Sequence, residues 1–218
     1  LYTLQAQAGK SYEIVIEFKQ IKDGAYFNFD LVEDIPLNMN ATLEKLKDTE
    51  IVIFAGGISP LLEGEEMKVS AAGFKGGDRT DIELPAVQRN VLAALKKAGK
   101  KVIFVNFSGS AMALTPETEN CDAILQAWYP GQEGGTAVAD VLFGDYNPAG
   151  RLPVTFYKNM EQLPDFEDYS MQGRTYRYMK EAPLFPFGYG LSYTTFTYGK
   201  ARADKKRIST GEKMTLTI

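Results

Sequence analysis

Histidine does not occur anywhere in the 218 residues. Its absence removes the Ser-His and Cys-His nucleophile systems, the usual imidazole acid/base and most transition-metal sites. Proton transfer, if the chain performs any, falls to Asp, Glu, Lys or Tyr. Cysteine occurs once, at Cys121, which excludes an intramolecular disulfide and a Cys/His zinc cluster. No metal and no cofactor are expected. No apolar run reaches the roughly eighteen residues that a membrane span requires. The 24 basic and 28 acidic residues leave a net charge of -4 without any block of like charge, which argues against nucleic acid or an anionic membrane surface as a partner. Neutral ligands fit this balance better.

The first residues, "LYTLQAQAGKSYEIV", lack both an initiator Met and a secretory pattern, and the last, "GEKMTLTI", alternate as though inside a strand. Both ends are therefore expected to be cuts through larger structure. Between them three textures follow one another. Over residues 1–36, Tyr12, Ile14, Ile16 and Phe18 and later Tyr26, Phe27, Phe29 and Leu31 fall at strand spacing. With turn signals at Ala8-Gly9-Lys10 and Lys22-Asp23-Gly24, this reads as antiparallel sheet, the tail of a β-sandwich.

Residues 37–192 change to an α-then-β alternation, which predicts an α/β fold built on a mostly parallel sheet with flanking helices. A helix is expected over 41–48 and an apolar strand over 51–55. Pro85 opens and Gly99 closes a second helix near 85–98, in which Val87, Val91, Leu92 and Leu95 recur at helical spacing. The run "KVIFVNFSG" from Lys101 is apolar on both faces, as buried parallel strands are. A third unit pairs a strand in "DAILQAWYP" with a helix over 136–143 that turns Ala137, Val138, Val141 and Leu142 inward. After residue 156 the chain reads as a Pro- and aromatic-rich loop, and residues 193–218 alternate again as the first strands of another β-sandwich.

In open α/β sheets ligands bind outside the carboxyl ends of the strands. The loops expected there are 56–77, 108–113 and 128–135. The first is long, acidic and glycine-rich, "GGISPLLEGEEMKVSAAGFKGGDRTDIELP" in full, and loops of this length are commonly functional or disordered. Glu63, Glu65 and Glu66 follow an apolar Pro-Leu-Leu, a setting that suits a general acid. From the residues alone a solvated acidic loop is the better account of the composition, with the general acid as the alternative. Asp78 and Arg79 in "GGDR" suit contact with substrate hydroxyls or a structural clamp within the loop. "NFSGSA" has the small residues of a nucleophile elbow but not its Gly-x-Ser-x-Gly pattern, and no histidine exists to activate Ser108 or Ser110. "YPGQEGG" lacks the Lys-Ser/Thr of a phosphate loop, so close packing explains its glycines better. Trp128, Tyr129 and Tyr189 suit stacking on sugar rings or a place in the core.

Five ordered segments, "IVIFAGGISPLLEGEE", "GGDRTDIELPAVQRNVLAAL", "KVIFVNFSGSAMAL", "ILQAWYPGQEGGTAVADVLFGDYNPAGRLPVTF" and "PLFPFGYGLSYTTF", together resemble the C-terminal α/β-sandwich domain of glycoside hydrolase family 3, the β-glucosidase and β-xylosidase family. The resemblance implies that residues 1–36 end a protective-antigen-type β-sandwich insert and that residues 193–218 begin a fibronectin-III-like domain. It also implies hydrolysis of β-linked glycosides or oligosaccharides with retention, in a periplasmic or secreted setting. The nucleophilic aspartate would lie on a separate N-terminal barrel, and the acid/base glutamate on this domain. A retaining mechanism needs two carboxyl groups roughly 5 Å apart, and this half would bring the acid. The family's Glu-x-Glu pattern falls on Glu63 and Glu65, which makes Glu63 the first choice, with Glu65 and Glu66 as alternatives; Asp78, Arg79 and Trp128 are the substrate-binding candidates. The chain's expected partner is that barrel, and the chain alone is expected to be catalytically silent. The different-class alternative is an accessory carbohydrate-binding or packing module with no direct catalytic role. Flavodoxin-like nucleotide binding has only the βα pattern in its favour.

Overall fold

The computed structural model describes residues 4–19, 36–63, 69 and 71–218, and the chain divides into two units, Leu1–Asn38 and Met39–Ile218. In the first unit the expected turn is present: Lys10 N donates to Gln7 O at 3.2 Å, and Gln7 N donates to the Tyr12 hydroxyl at 2.7 Å. Residues 4–19 contain no strand, and Tyr12, Ile14, Ile16 and Phe18 are exposed. Period-two alternation supplies a face, but a ladder forms only where a second strand satisfies the backbone groups. The other half of the expected sheet, from Tyr26 to Leu31, lies outside the described residues.

The second unit runs α1 (Met39–Lys45), β1 (Ile51–Gly57), β2 (Phe74–Lys75), β3 (Asp78–Arg79), α2 (Ala86–Lys97), β4 (Lys101–Phe107), α3 (Thr115–Asn120), β5 (Ala123–Gln126), α4 (Gly134–Phe143), a 3-10 turn (Met160–Gln162), α5 (Thr175–Tyr178), β6 (Arg202–Ala203) and β7 (Leu216–Thr217). β1, β4 and β5 form a parallel sheet in the order β1-β4-β5, with Ile51 opposite Lys101 and Ile103 opposite Ala123. The fold class read from the sequence is thus the one observed, a parallel sheet with flanking helices. β4 is central because its residues are apolar on both faces: Val102, Phe104 and Val105 are buried, and Phe104 meets Phe54 of β1 at 5.9 Å between ring centroids. β1 alternates instead, with Ile51 and Ile53 exposed.

Helix α2 covers β1 and β4 with Leu92 and Leu95, whereas Val87, expected on the same stripe, is exposed near the helix start. The Gln88 side chain clips α2 to the end of β1: it donates to Gly57 O and accepts from Gly57 N, both at 2.7 Å. Lys100 Nζ donates to Leu46 O at 2.6 Å and Thr49 O at 2.7 Å, satisfying carbonyls that the end of α1 leaves free. In α4, Val138, Val141 and Leu142 are half-buried, but Ala137, expected inward, is exposed. Helix α3 was not legible, because "TPETEN" is short and polar; tertiary contact rather than periodicity holds it.

That contact is ionic. Glu117 on α3 is fully buried, and its carboxylate accepts from Arg89 Nε at 2.7 Å and Nη2 at 3.1 Å. Arg89 also pairs with Glu83 at 2.7 Å and donates to Ala113 O at 3.2 Å. One guanidinium on α2 therefore joins α3 to the Glu83–Ala113 bridge. The segment after residue 156, read as loop, is anchored to the core at a few points: buried Phe156 bridges antiparallel to Phe185, and the Phe185 ring stacks on Tyr189 at 4.8 Å. At the carboxyl-terminal end β6 pairs antiparallel with β7. No helix among the described residues is long and apolar enough to cross a membrane.

Cys121 ends α3, buried and free. Burial first, and then the Glu117 and Asp122 carboxylates, push its thiol up to about 12. The unfolded thiol ionises near 9.0, so above that pH the folded state retains a proton that the unfolded state has released, and stability falls as pH rises. Guanidinium denaturation at about pH 8 and about pH 10.5 is expected to show a larger loss in the wild type than in Cys121→Ala. Equal losses would remove Cys121 from the account.

Candidate active site

The chain leaves β1 in a tight turn, with Leu62 N and Glu63 N both donating to Ser59 O, at 2.9 and 3.3 Å. Glu63 is thereby half-buried at the carboxyl edge of the sheet. Its Oε2 accepts a hydrogen bond from the Tyr129 hydroxyl at 2.6 Å, and its Oε1 accepts one from Ser110 Oγ at 3.1 Å. Glu63, Ser110 and Tyr129 follow β1, β4 and β5 respectively, so one residue from the carboxyl end of each parallel strand meets in a single cluster. This is the rim where open α/β sheets place ligands.

Deeper polar groups hold that rim in shape. Asn106 at the end of β4 donates to Gln126 Oε1 of β5 at 2.7 Å, Gln126 donates to Ser108 Oγ at 3.0 Å, and Ser108 donates to Ser110 O at 3.0 Å. Ser108 is fully buried within this chain of bonds. It acts as a strut, in keeping with rejection of a serine nucleophile. Arg79 approaches from β3: Nη1 donates to Ser110 Oγ at 2.9 Å and to Ala111 O at 3.3 Å, and Nε donates to Asp81 O at 3.1 Å. Burial holds the Arg79 guanidinium below its usual value, against the opposing pull of Glu63 and Asp81. Its Nη2 is buried without a hydrogen-bond partner among the described residues.

Tyr129 reaches Glu63 because its neighbour adopts an uncommon conformation. Trp128 has φ 57° and sits edge-to-face on buried Phe156, with ring centroids 6.0 Å apart at 73°. The half-buried Trp128 ring is thus packed at the margin of the core. Beneath Tyr129 lies Gly109, where a Cβ would come 2.5 Å from Tyr129 Cε2 and 3.1 Å from Glu63 Oε2. Burial, followed by the hydrogen bond to and the charge of Glu63, pushes the Tyr129 phenol up to about 12. It therefore stays a donor throughout the neutral range.

Of the residues singled out from the sequence, the fold brings Glu63, Arg79 and the Trp128–Tyr129 pair to one rim. Asp78 is exposed on β3 opposite Lys75, and among the described residues no hydrogen bond or ion pair joins it to Glu63. Glu65 and Glu66 lie outside the described residues. Sequence reasoning missed Ser110 and Tyr129 as partners of Glu63. The available signal was positional, since each follows a predicted parallel strand by a few residues. In the glycine-rich loop, a Cβ at Gly134 would lie 2.3 Å from Pro130 Cβ, so close packing accounts for that glycine. Among the described residues no three of His, Cys, Asp or Glu are grouped to hold a metal ion.

The sequence profile of the glycosyl hydrolase family 3 C-terminal domain matches residues 3–193. The chain belongs to glycosyl hydrolase family 3. This family 3 domain is 63% identical over 202 residues to a xylan 1,4-beta-xylosidase of Xylanibacter ruminicola, covering 92% of the chain and 23% of that relative. It is 43% identical over 152 residues to a periplasmic beta-glucosidase of Salmonella typhimurium, covering 64% of the chain and 20% of that relative. Among solved structures, the beta-D-glucoside glucohydrolase of Trichoderma reesei superposes with a TM-score of 0.64 at 25% identity, over 76% of the chain and 24% of that protein. The family 3 domain thus spans about a quarter or less of the proteins it matches.

Proposed function

We propose that this domain supplies the general acid/base carboxyl group of a retaining β-glycosidase, and that Glu63 carries it. The observation that supports this most directly is the placement of Glu63: a half-buried carboxyl at the ends of three parallel strands, with each oxygen held by a hydroxyl donor from a different loop. A loop glutamate that merely solvates the surface has no need of two such supports. A terminal β-linked xylose is the favoured sugar, because the relative sharing 63% identity is named a xylan 1,4-beta-xylosidase.

In the first half-reaction a carboxylate nucleophile on the barrel attacks the anomeric carbon while Glu63 gives its proton to the glycosidic oxygen, so the C–O bond breaks and a neutral alcohol leaves. In the second, Glu63 takes a proton from water as the water oxygen displaces the nucleophile, restoring the acid. Arg79 holds Ser110, and Trp128 carries Tyr129, at the edge of the same site. The domain alone is expected not to turn over substrate, because one carboxyl of a cooperating pair cannot form the covalent intermediate.

The test uses Glu63→Ala in the full-length enzyme with an activated aryl β-glycoside. Its glycosyl–enzyme still forms but has lost the base that deprotonates water. Azide, already anionic, needs no base, so added azide is expected to accelerate turnover and yield the β-glycosyl azide. Unchanged turnover with azide, and no azide product, would remove Glu63 from this role.

A further inference from the structure

Resting on the acid/base reading of Glu63, we propose that Tyr129 is a positioning residue that fixes Glu63 Oε2 as the oxygen from which the proton is delivered. Hydrogen-bond direction within the cluster supports the assignment. A guanidinium can only donate, so Ser110 Oγ accepts from Arg79 Nη1 at 2.9 Å and has its own hydrogen left for Glu63 Oε1 at 3.1 Å. Arg79 occupies one of the two Ser110 lone pairs, which favours Ser110 as a donor to Oε1 and leaves Oε2 as the oxygen for the transferable proton. Among the described residues, the group that hydrogen-bonds Oε2 is the Tyr129 hydroxyl, at 2.6 Å.

A phenol hydroxyl is suited to this position because it both donates and accepts by turning about its C–O bond. It donates to Oε2 while the carboxyl is ionised and releases that oxygen when the carboxyl carries the proton. It remains protonated itself, its ionisation being pushed up to about 12. The ring has little freedom: the absent Cβ at Gly109 lets it lie against that backbone, Trp128 at φ 57° sets its direction, and the edge-to-face contact of Trp128 with Phe156 anchors both. A left-handed tryptophan is a strained arrangement that persists only where its surroundings over-determine it. Here it carries the Tyr129 hydroxyl to the carboxyl oxygen.

The experiment compares Tyr129→Phe, Glu63→Gln and the double variant in the full-length enzyme. The readout is kcat/KM for a β-linked disaccharide, whose leaving group needs a proton, and for an activated aryl glycoside, whose leaving group does not. Tyr129→Phe is expected to lower kcat/KM for the disaccharide by about 10- to 100-fold, the worth of a hydrogen bond to a charged group, and to change the aryl glycoside by less than about twofold. The double variant is expected to be no slower than Glu63→Gln alone, because Tyr129 acts only through that carboxyl. Circular dichroism and thermal unfolding of each variant check that it has kept its fold.

Equal losses on both substrates, or no loss on either, overturn the positioning role while leaving Glu63 in place if Glu63→Gln shows the substrate split. A Glu63→Gln variant with wild-type rates on both substrates overturns the acid/base reading, and the role of Tyr129 with it. A second variant, Gly109→Ala, crowds the Tyr129 ring at 2.5 Å and Glu63 Oε2 at 3.1 Å while leaving both polar groups chemically intact. It is expected to reproduce the substrate split, and a uniform loss there also counts against the positioning role.

Discussion

Glu63→Gln in the full-length enzyme is expected to lower kcat/KM for a β-linked disaccharide by about 10²- to 10⁴-fold, the range that a positioned general acid supplies. The same variant should hydrolyse an activated aryl glycoside at close to the wild-type kcat/KM. The difference comes from the leaving group. A sugar alkoxide is too basic to depart without a proton, whereas an activated phenolate is stable as an anion, so the acid has little to add. Glutamine keeps the size of the side chain and can still accept from Ser110 at Oε1, which separates loss of the proton from collapse of the loop. The corresponding variants of Glu65 and Glu66, the other two carboxyls of the loop, should keep disaccharide activity. A split between the two substrates at Glu65 or Glu66 rather than Glu63 would move the assignment within the loop; its absence at all three would favour the accessory-module alternative.

The largest expected loss of stability lies away from the rim. Arg89→Met should cost about 3–5 kcal/mol in urea or guanidinium unfolding, because it strips the fully buried Glu117 carboxylate of its two charged donors. Exposed pairs such as Lys47–Glu44 are worth roughly 0–1 kcal/mol, since water and salt screen them. The distinction rests on desolvation: Glu117 cannot fall back on water once Arg89 is gone, and Glu83 competes for the same guanidinium. Arg89→Met combined with Glu117→Leu should recover most of the loss, because the second change removes the stranded charge. A loss below about 1 kcal/mol in the single variant, or no recovery in the double, would mean that α3 is held by its apolar neighbours instead.

The legible parts of this protein were those governed by one-dimensional pattern. The apolar runs at 51–55 and from Lys101 announced parallel strands, Pro85 and Gly99 bracketed α2, and the order of strands and helices placed the candidate loops at the carboxyl ends. The site was half legible. Glu63 and Arg79 stood out as charged residues in an acidic, glycine-rich loop, but Ser110 and Tyr129 lie 47 and 66 positions from Glu63. Nothing local in the chain links residues at such separations. Glu117, in a helix too short to show a period, and Ala137, whose outward turn reversed expectation, were invisible for the same reason: burial is decided by what packs alongside.

Sequence by itself bounded the chemistry and identified the family. Without histidine, and with one cysteine, any acid/base work falls to Asp, Glu, Lys or Tyr, and the ordered motifs pointed to glycosyl hydrolase family 3. Only the tertiary structure decided which groups touch the Glu63 carboxyl. The parallel register sets the ends of β1, β4 and β5 side by side, so three loops far apart in the chain meet at Glu63. Direction within that cluster follows from Arg79, whose guanidinium cannot accept and so favours Ser110 as a donor to the carboxyl.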